Sequence, residues 1–204
     1  TVKLSIEDLV QTRIPTQHGE FTLHYYSNNL DEKEHIALVK GAVADQDNVP
    51  VRIHSECFTG DVLGSRRCDC GEQLDMALDI INRHGCGVLV YLRQEGRGIG
   101  LLKKLQAYNL QDQGLDTVDA NLSLGHLADE RQYDVAGLIL QSLKVSSIAL
   151  ITNNPQKIDE LTRLGIDVKN RIAIETSINA DNLDYLKTKA ERMHHLLSVN
   201  DEQD

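Results

Sequence analysis

The sequence is poor in aromatic residues and has no long apolar run. It contains no Trp, aromatic residues make up 4% of its 204 residues, and no segment is long and apolar enough to cross a bilayer. The first residues, TVKLSIEDLVQTRIP, lack the apolar stretch of a secretory signal peptide. These absences predict a core of Leu, Ile, Val and Ala and a cytoplasmic location.

Basic residues are also few. The 21 Lys and Arg residues face 31 Asp and Glu residues, which gives a formal net charge of −10. Nonspecific binding to DNA or RNA requires a basic surface, so this class of function is disfavoured, whereas one small polyanion in a local basic pocket is not. There are three prolines, no repeats and no linker-like segment. We therefore predict one domain over residues 1–204, with a lead-in over 1–13 and a frayed acidic tail over 198–204.

Three of the four cysteines lie in one stretch, residues 51–73, at Cys57, Cys68 and Cys70. Without a signal peptide, such thiols are expected to be reduced and able to bind metal. Zinc with three protein ligands and one open position is typical of a catalytic site. The spacing alone leaves three interpretations open: a catalytic zinc, a structural zinc closed by His54, and buried thiols without metal. Cys86 is interpreted as a small buried apolar residue.

Hydrophobic periodicity predicts a mixed α/β fold, with a mixed sheet covered by helices. The early part of the chain reads as strands and the later part alternates strands with helices. The predicted strands are 19–27, 35–43, 49–57, 86–94, 146–152 and 166–174. The predicted helices are a short one near 6–10, then 71–84, 99–111, 128–143, one that begins at Pro155 and ends by Gly165, and 182–197.

Polar segments follow several of the predicted strands, where ligands gather in α/β folds. RQEGRGIG at 93–100 can bring backbone amides and arginines to a phosphate, although it matches neither a Rossmann nor a Walker pattern. TNNPQK at 152–157 places a helix start after a strand, where free amides can hold an anion. The Gly-rich segment alone is better explained as an ordinary structural turn, and TNNPQK alone is equally unspecific. The default interpretation of Asp129 and Arg131 is a helix cap and a surface arginine.

In combination, these segments resemble the GTP cyclohydrolase II family over roughly residues 14–197. The resemblance rests on R-x-H-S-E-C, S-x-R-C-D-C-G-x-Q-L, R-Q-E-G-R-x-I-G-L, Y-x-L-Q-D-x-G-x-D-T, A-D-E-R and T-N-N-P-x-K, all intact here. It implies zinc held by Cys57, Cys68 and Cys70, with water in the fourth position, and magnesium at the triphosphate. It also implies a homodimer that hydrolyses GTP to formate, pyrophosphate and 2,5-diamino-6-hydroxy-4-(5-phosphoribosylamino)pyrimidine, the first committed step of riboflavin biosynthesis.

The resemblance assigns roles to individual residues as well. Tyr108 matches a tyrosine that assists hydrolysis near the guanine, Asp129 a proton acceptor, and Arg131 a nucleophile in pyrophosphate release. A guanidinium has a pKa above 12 and no lone pair to offer, so an electrostatic clamp on the α-phosphate is the competing role of Arg131. The implied GTP contacts are Arg52, Ile53, His54, Ser55, Glu56, Gln73, Glu95, Gly96, Arg97, Thr117, Thr152 and Lys157.

Three other functions are compatible with parts of the pattern. The first is a cyclohydrolase that stops at the formamido product, and the second is a GTP-sensing domain with a structural zinc and no turnover. The third, a zinc-ribbon nucleic-acid binder, is disfavoured by the acidic balance and by the lack of a second Cys pair. Because the first residue is Thr, fusion to a dihydroxybutanone-phosphate synthase domain also stays open.

Overall fold

The computed structural model of the chain describes residues 3–95, 99–114 and 133–174. The strands are β1 Ile6–Thr16, β2 Gly19–Asn28, β3 His35–Lys40, β4 Val49–Ser55, β5 Gly87–Leu92, β6 Ile148–Ile151 and β7 Val168–Ile172. The helices of the described part, numbered in chain order, are α1 Phe58–Asp61, α2 Cys70–His84, α3 Leu101–Asp112, α4 Asp134–Ser142 and α5 Pro155–Arg163. None of these helices is long and apolar enough to cross a membrane.

The described strands form one mixed sheet in the order β1-β2-β3-β5-β4-β6-β7. The first four strands of this order pair antiparallel, and the pairs β5–β4, β4–β6 and β6–β7 are parallel. The parallel half brings the carboxyl ends of four strands, β4 to β7, to one edge, which is where ligands bind in such sheets. The mixed α/β fold predicted from periodicity is therefore confirmed.

The sheet has a buried layer on each face. Along β5, Val88 and Val90 belong to one apolar cluster and Leu89 to the other, because successive strand residues point to opposite faces. The Leu89 face packs against Ala77, Leu78 and Ile81 of α2, all buried. The opposite face packs against the buried stripe of α4, which consists of Val135, Ala136, Ile139 and Leu140.

The predicted helix near 6–10 is wrong, because these residues begin β1. Leu9 and Val10 are exposed at 50% and 56%, so their helix-like spacing has no core to pack against. β1 instead pairs with β2 from Ile6 to Thr16, with a register shift between Asp8 and Val10. This extended ladder satisfies the backbone polar groups and outweighs the local pattern.

The other predicted strands and helices that fall on the described residues are confirmed, with shifts of a few residues at the ends. Gly85 ends α2 with φ of 90°, a left-handed conformation that glycine adopts without steric cost. Pro155 occupies the start of α5, and the Asn154 side chain accepts a hydrogen bond from the Gln156 amide at 3.0 Å. The predicted helix over 128–143 is described only from Asp134, and the predicted helix over 182–197 lies outside the described residues.

Candidate active site and metal centre

The three cysteines predicted as metal ligands lie together. Cys57 directly precedes α1, Cys70 is the first residue of α2, and Cys68 lies just before it. The Sγ atoms of Cys57 and Cys68 are 3.6 Å apart, and all three sulfurs lie within 4.8 Å of one another. A Zn–S bond of about 2.3 Å places tetrahedral sulfurs about 3.8 Å apart, so the cluster fits a zinc ion without rearrangement of the backbone.

The three thiols differ in how readily they lose a proton. Hydrogen bonds from Cys68 and Cys70 hold the pKa of Cys57 far below that of a free thiol. The bond to Cys57 raises the pKa of Cys68 to about 11, and both neighbours raise the pKa of Cys70 well above its usual range. The sulfurs by themselves thus share a single negative charge. A divalent metal would reverse this preference, because a coordinating thiol loses its proton.

His54 does not join the thiols. Its Nε2 lies 3.0 Å from Asp61 Oδ1, and its ring stacks on Tyr91 with centroids 5.7 Å apart. Burial lowers the pKa of His54, so the neutral ring donates this hydrogen bond. Across the described ranges, the group of potential metal ligands contains three cysteines and no fourth His, Cys, Asp or Glu. The described geometry therefore offers three ligands, and Cys68 borders an open pocket of about 460 Å³.

Asp61 fixes the strand-to-helix turn that carries Cys57. Its Oδ2 accepts hydrogen bonds from the Cys57 backbone amide at 3.1 Å and from the Tyr91 hydroxyl at 2.7 Å. With the bond from His54, three donors converge on a carboxylate that is 3% exposed. Because both oxygens are occupied and buried, the turn has little freedom to reorient its sulfur.

A second carboxylate and an ammonium group complete this turn. Glu95 follows β5, and its Oε2 accepts a hydrogen bond from the Phe58 backbone amide at 2.8 Å. Lys104, on α3, donates to Glu95 Oε1 and to Cys57 Sγ, each at 2.8 Å. Burial is the largest single influence and would lower the pKa of Lys104, but the electrostatic interactions with Cys57 and Tyr108 and the hydrogen bonds to Cys57 and Glu95 together outweigh burial and raise it. Lys104 is therefore an ammonium group in contact with a candidate metal ligand.

Tyr108 lies one helical turn after Lys104 and beside the thiols. Its hydroxyl is 3.4 Å from Thr59 Oγ1, which in turn lies 3.7 Å from Cys57 Sγ. The guanidinium of Arg67 stacks on the Tyr108 ring at 4.4 Å from the centroid. Burial raises the pKa of Tyr108 to about 12, so the phenol keeps its proton at neutral pH. The group is thus a proton donor next to the candidate metal centre.

A buried basic region lies at the carboxyl end of β6, beside the middle of β4. Arg52 is 4% exposed, and its guanidinium donates to Ile151 O at 3.0 Å and to Gln73 Oε1 at 2.7 Å. Thr152 and Lys157 are also buried, at 1% and 6% exposure. Buried cations at a strand end next to a helix N-terminus are suited to binding phosphate groups.

Comparison with known proteins identifies the family. A sequence model described as GTP cyclohydrolase II matches residues 7–173. The chain belongs to the GTP cyclohydrolase II family. It is 50% identical over 201 residues to the GTP cyclohydrolase-2 of Hahella chejuensis, covering 98% of this chain and 97% of that protein. The resemblance stated from the motifs is therefore confirmed.

Other relatives are longer. The riboflavin biosynthesis protein RibBA of Chlamydia muridarum is 55% identical over 194 residues, which is 95% of this chain but 46% of that protein. The chain thus spans about half the length of the RibBA relatives it matches. A crystal structure of RibBX, a two-domain 3,4-dihydroxy-2-butanone 4-phosphate synthase from A. baumannii, superposes with a TM-score of 0.50. The superposed region covers 83% of this chain and 40% of the RibBX chain, with 22% sequence identity. This likeness therefore concerns the fold alone.

The predicted GTP contacts of this family member divide into several groups. Arg52, Thr152 and Lys157 share the basic region, whereas the Ile53 side chain lies in the apolar cluster on the opposite face of the sheet. Gln73 connects Arg52 to Asp69 Oδ2, to which it donates at 2.8 Å.

Two further predicted contacts lie at the end of β4. Ser55, the last residue of the strand, is half-buried. Glu56 accepts a hydrogen bond from Arg93 Nε at 2.9 Å. The predicted site residues Gly96, Arg97, Thr117, Asp129 and Arg131 lie outside the described residues.

Sequence reasoning missed Lys104, Asp61 and Thr59. Lys104 could have been found from Tyr108, since residues four apart share one face of a helix. Asp61 stands four residues after Cys57, where it can cap the turn carrying that ligand. Thr59 carries no signal of its own, because its role depends on the approach of α3 to α1.

Proposed function

We propose that the chain is a zinc-dependent GTP cyclohydrolase II. It converts GTP and water to 2,5-diamino-6-hydroxy-4-(5-phosphoribosylamino)pyrimidine, formate and pyrophosphate, the first committed step of riboflavin biosynthesis. The observation that carries the proposal is the three-sulfur cluster with Tyr108 and Lys104 beside it, in a chain of this family. Three sulfurs without a fourth ligand in the described residues suit a catalytic zinc better than a structural one.

The reaction requires three hydrolytic steps. One water opens the five-membered ring of guanine at C8, a second releases the formyl carbon as formate, and a third cleaves the bond between the α- and β-phosphates. When bound by the three thiolates, zinc supplies Lewis acidity that makes water a usable nucleophile near neutral pH. The remaining work belongs to the side chains around it.

Tyr108 and the basic region have separate tasks in this proposal. The Tyr108 phenol, which keeps its proton, donates a hydrogen bond to the ring nitrogen that departs as C8 is hydrolysed. Arg52 and Lys157 bind the phosphates, assisted by Thr152. Gln73 holds Arg52 in place. It is less suited to recognising the guanine base, because its amide oxygen and its amide nitrogen each already have a hydrogen-bond partner. Asp129 and Arg131 are proposed for pyrophosphate release on the strength of the family motif.

The test is a direct assay with matched variants. Purified chain is mixed with GTP and magnesium, with and without a zinc chelator, while formate and pyrophosphate are measured. We expect both products, and we expect the chelator to abolish formate. Cys57→Ser should lose zinc and formate together, whereas the control Cys86→Ser, which lies outside the cluster, should keep both.

Each contrary result identifies a rival. Pyrophosphate without formate would indicate an enzyme that stops at the formamido product. Tight GTP binding without either product would indicate a sensing domain. Stoichiometric zinc in Cys57→Ser would reject the ligand assignment. The homodimer, the magnesium ion at the triphosphate and the cytoplasmic location stay predictions, and light scattering of the purified chain tests the first of them.

A further inference from the structure

Lys104 is a buried cation whose role the proposed reaction leaves unassigned. Its side chain is 14% exposed, although it belongs to α3, a helix whose residues Leu101, Leu102 and Leu105 are exposed. The ammonium points inward and contacts two acceptors at 2.8 Å, Cys57 Sγ and Glu95 Oε1. A long cationic side chain is buried only when its charge is compensated, so this placement requires an explanation.

The charge of the proposed metal centre explains why Lys104 is buried. Three thiolates around a dication carry a net charge of −1, and a buried net charge is costly unless an opposite charge lies nearby. Lys104 places a positive charge against this site, 2.8 Å from Cys57 Sγ, and shares it with the Glu95 carboxylate. We propose that Lys104 is a positioning residue of the metal centre, whose ammonium group offsets part of the negative charge of the three-thiolate site and hydrogen-bonds to the Cys57 sulfur. This inference rests on the proposed zinc site.

Glu95 makes the arrangement specific. One carboxylate oxygen accepts from Lys104, and the other accepts from the Phe58 amide, which directly follows Cys57. The ammonium is thus held to the same turn that carries the metal ligand. Lysine with its flexible stem would otherwise be free to turn toward solvent, and Glu95 removes that freedom.

The hydrogen bond also distinguishes Cys57 from the other two ligands. A donor that points at a thiolate sulfur lowers the energy of the sulfur lone pair, while the positive charge of the ammonium stabilises the anionic site and holds the sulfur in place. Lys104 directs this hydrogen bond at the Cys57 sulfur, at 2.8 Å. Removing it should change both the affinity for the metal and the electronic spectrum of the sulfur–metal bond.

The experiment compares three variants of the full chain. Lys104→Met removes the charge and the hydrogen bond but keeps the length of the side chain, and Lys104→Arg keeps the charge. The control is Lys103→Met, which removes the same charge from the neighbouring position of α3. Zinc affinity is measured by competition with a chromophoric chelator. Cobalt(II) is then loaded in place of zinc, and the sulfur-to-cobalt charge-transfer band is recorded.

We expect Lys104→Met to bind zinc about 10- to 100-fold more weakly than wild type, the range typical for loss of a hydrogen bond to a metal ligand. Its charge-transfer band should move to longer wavelength, because the sulfur lone pair rises in energy without the donor. Lys103→Met should match wild type in both measurements, and Lys104→Arg should lose less affinity than Lys104→Met.

Three results would overturn the inference. One is a zinc affinity of Lys104→Met equal to that of Lys103→Met, and another is an unshifted band in Lys104→Met. The third is an equal loss of affinity in Lys104→Arg and Lys104→Met. The band arises only from chains with an assembled site, so a partly unfolded variant still gives an answer. If wild type takes up zinc no better than Cys57→Ser, the metal centre of the proposed function fails as well, which separates the two failures.

Discussion

Gly60 lies where any side chain would meet the thiol cluster. A Cβ atom at this position would be 2.8 Å from Cys68 Sγ, 3.2 Å from Cys57 Sγ and 3.1 Å from Cys70 Cβ. Separations under 3.0 Å are essentially never seen for real Cβ atoms, so Gly60→Ala must displace the Cys68 sulfur. The backbone of α1 accepts alanine, so the expected effect comes from this contact alone.

The magnitude follows from the cost of overpacking. An extra methyl group in a packed region costs about 1–3 kcal/mol. In the metal-free chain the sulfurs can separate and relieve the contact, whereas zinc requires them about 3.8 Å apart. The cost therefore falls on the metal-loaded state. At 1.4 kcal/mol for each factor of ten, we expect zinc to bind about 5- to 140-fold more weakly.

Competition with a chromophoric chelator measures this difference, with Gly137→Ala as the control. Gly137 is also helical, and its added Cβ would lie 3.4 Å from Leu164, far from any sulfur. The control should bind zinc as wild type does. Equal zinc affinities in Gly60→Ala and Gly137→Ala would refute the reasoning, because the methyl group would then have found room beside the sulfurs.

Three further variants test other parts of the site and fold. Tyr108→Phe should slow formate release by about 100-fold or more while GTP affinity changes little; an unchanged formate rate would remove the proton-donor role. Asp61→Asn should lower the free energy of unfolding by about 1–3 kcal/mol in urea titrations, because buried donors lose their acceptor; the exposed substitution Asp112→Asn should cost less, and equal losses would contradict this. Burial lowers the pKa of His35 below its value in the unfolded chain, despite nearby Asp31. The stabilisation that depends on neutral His35 is therefore complete above the unfolded pKa, and it is lost as pH falls through the folded pKa. Wild type should therefore lose more stability than His35→Gln between pH values of about 7.5 and 5, and parallel pH profiles would contradict this sign.

The sequence was informative where local pattern and final packing agree. β5 is an apolar run, β4 alternates Val51 and Ile53 with polar residues, and the stripe of α2 packs against one face of the sheet, so the hydrophobic pattern located all three. The spacing of the cysteines predicted the cluster because a short turn before α2 leaves few other arrangements. The helix-like pattern at 6–10 misled because its apolar residues face solvent in a hairpin, where pairing with β2 is the stronger interaction.

Contacts between distant segments could not be predicted in this way. Lys104 and Cys57 are 47 positions apart, and Thr59 and Tyr108 are 49 apart. Both contacts depend on how α3 returns over α1 after β5. From sequence alone, a lysine in a helical stretch is expected to lie on the solvated surface. Lys104 is buried because a thiolate and a carboxylate approach it in the folded chain. The pattern indicated which residues carry chemistry, and the fold determined which of them act together.

Successive side chains of β4 point to opposite faces of the sheet. This alternation separates the predicted GTP contacts and connects the basic region to the thiol cluster. Ile53 packs in the apolar cluster, so the adjacent Arg52 and His54 point to the opposite face, toward α2. There Arg52 donates to Gln73, and Gln73 donates to Asp69, the residue between the ligands Cys68 and Cys70. Two hydrogen bonds thus join a candidate phosphate-binding arginine to the turn that carries two candidate metal ligands. All three side chains in this chain of contacts are buried, so we expect a displacement of Arg52 to be transmitted toward the turn between Cys68 and Cys70. Substitution of Gln73 should therefore disturb both phosphate binding and metal affinity, whereas two independent half-sites would lose only the first.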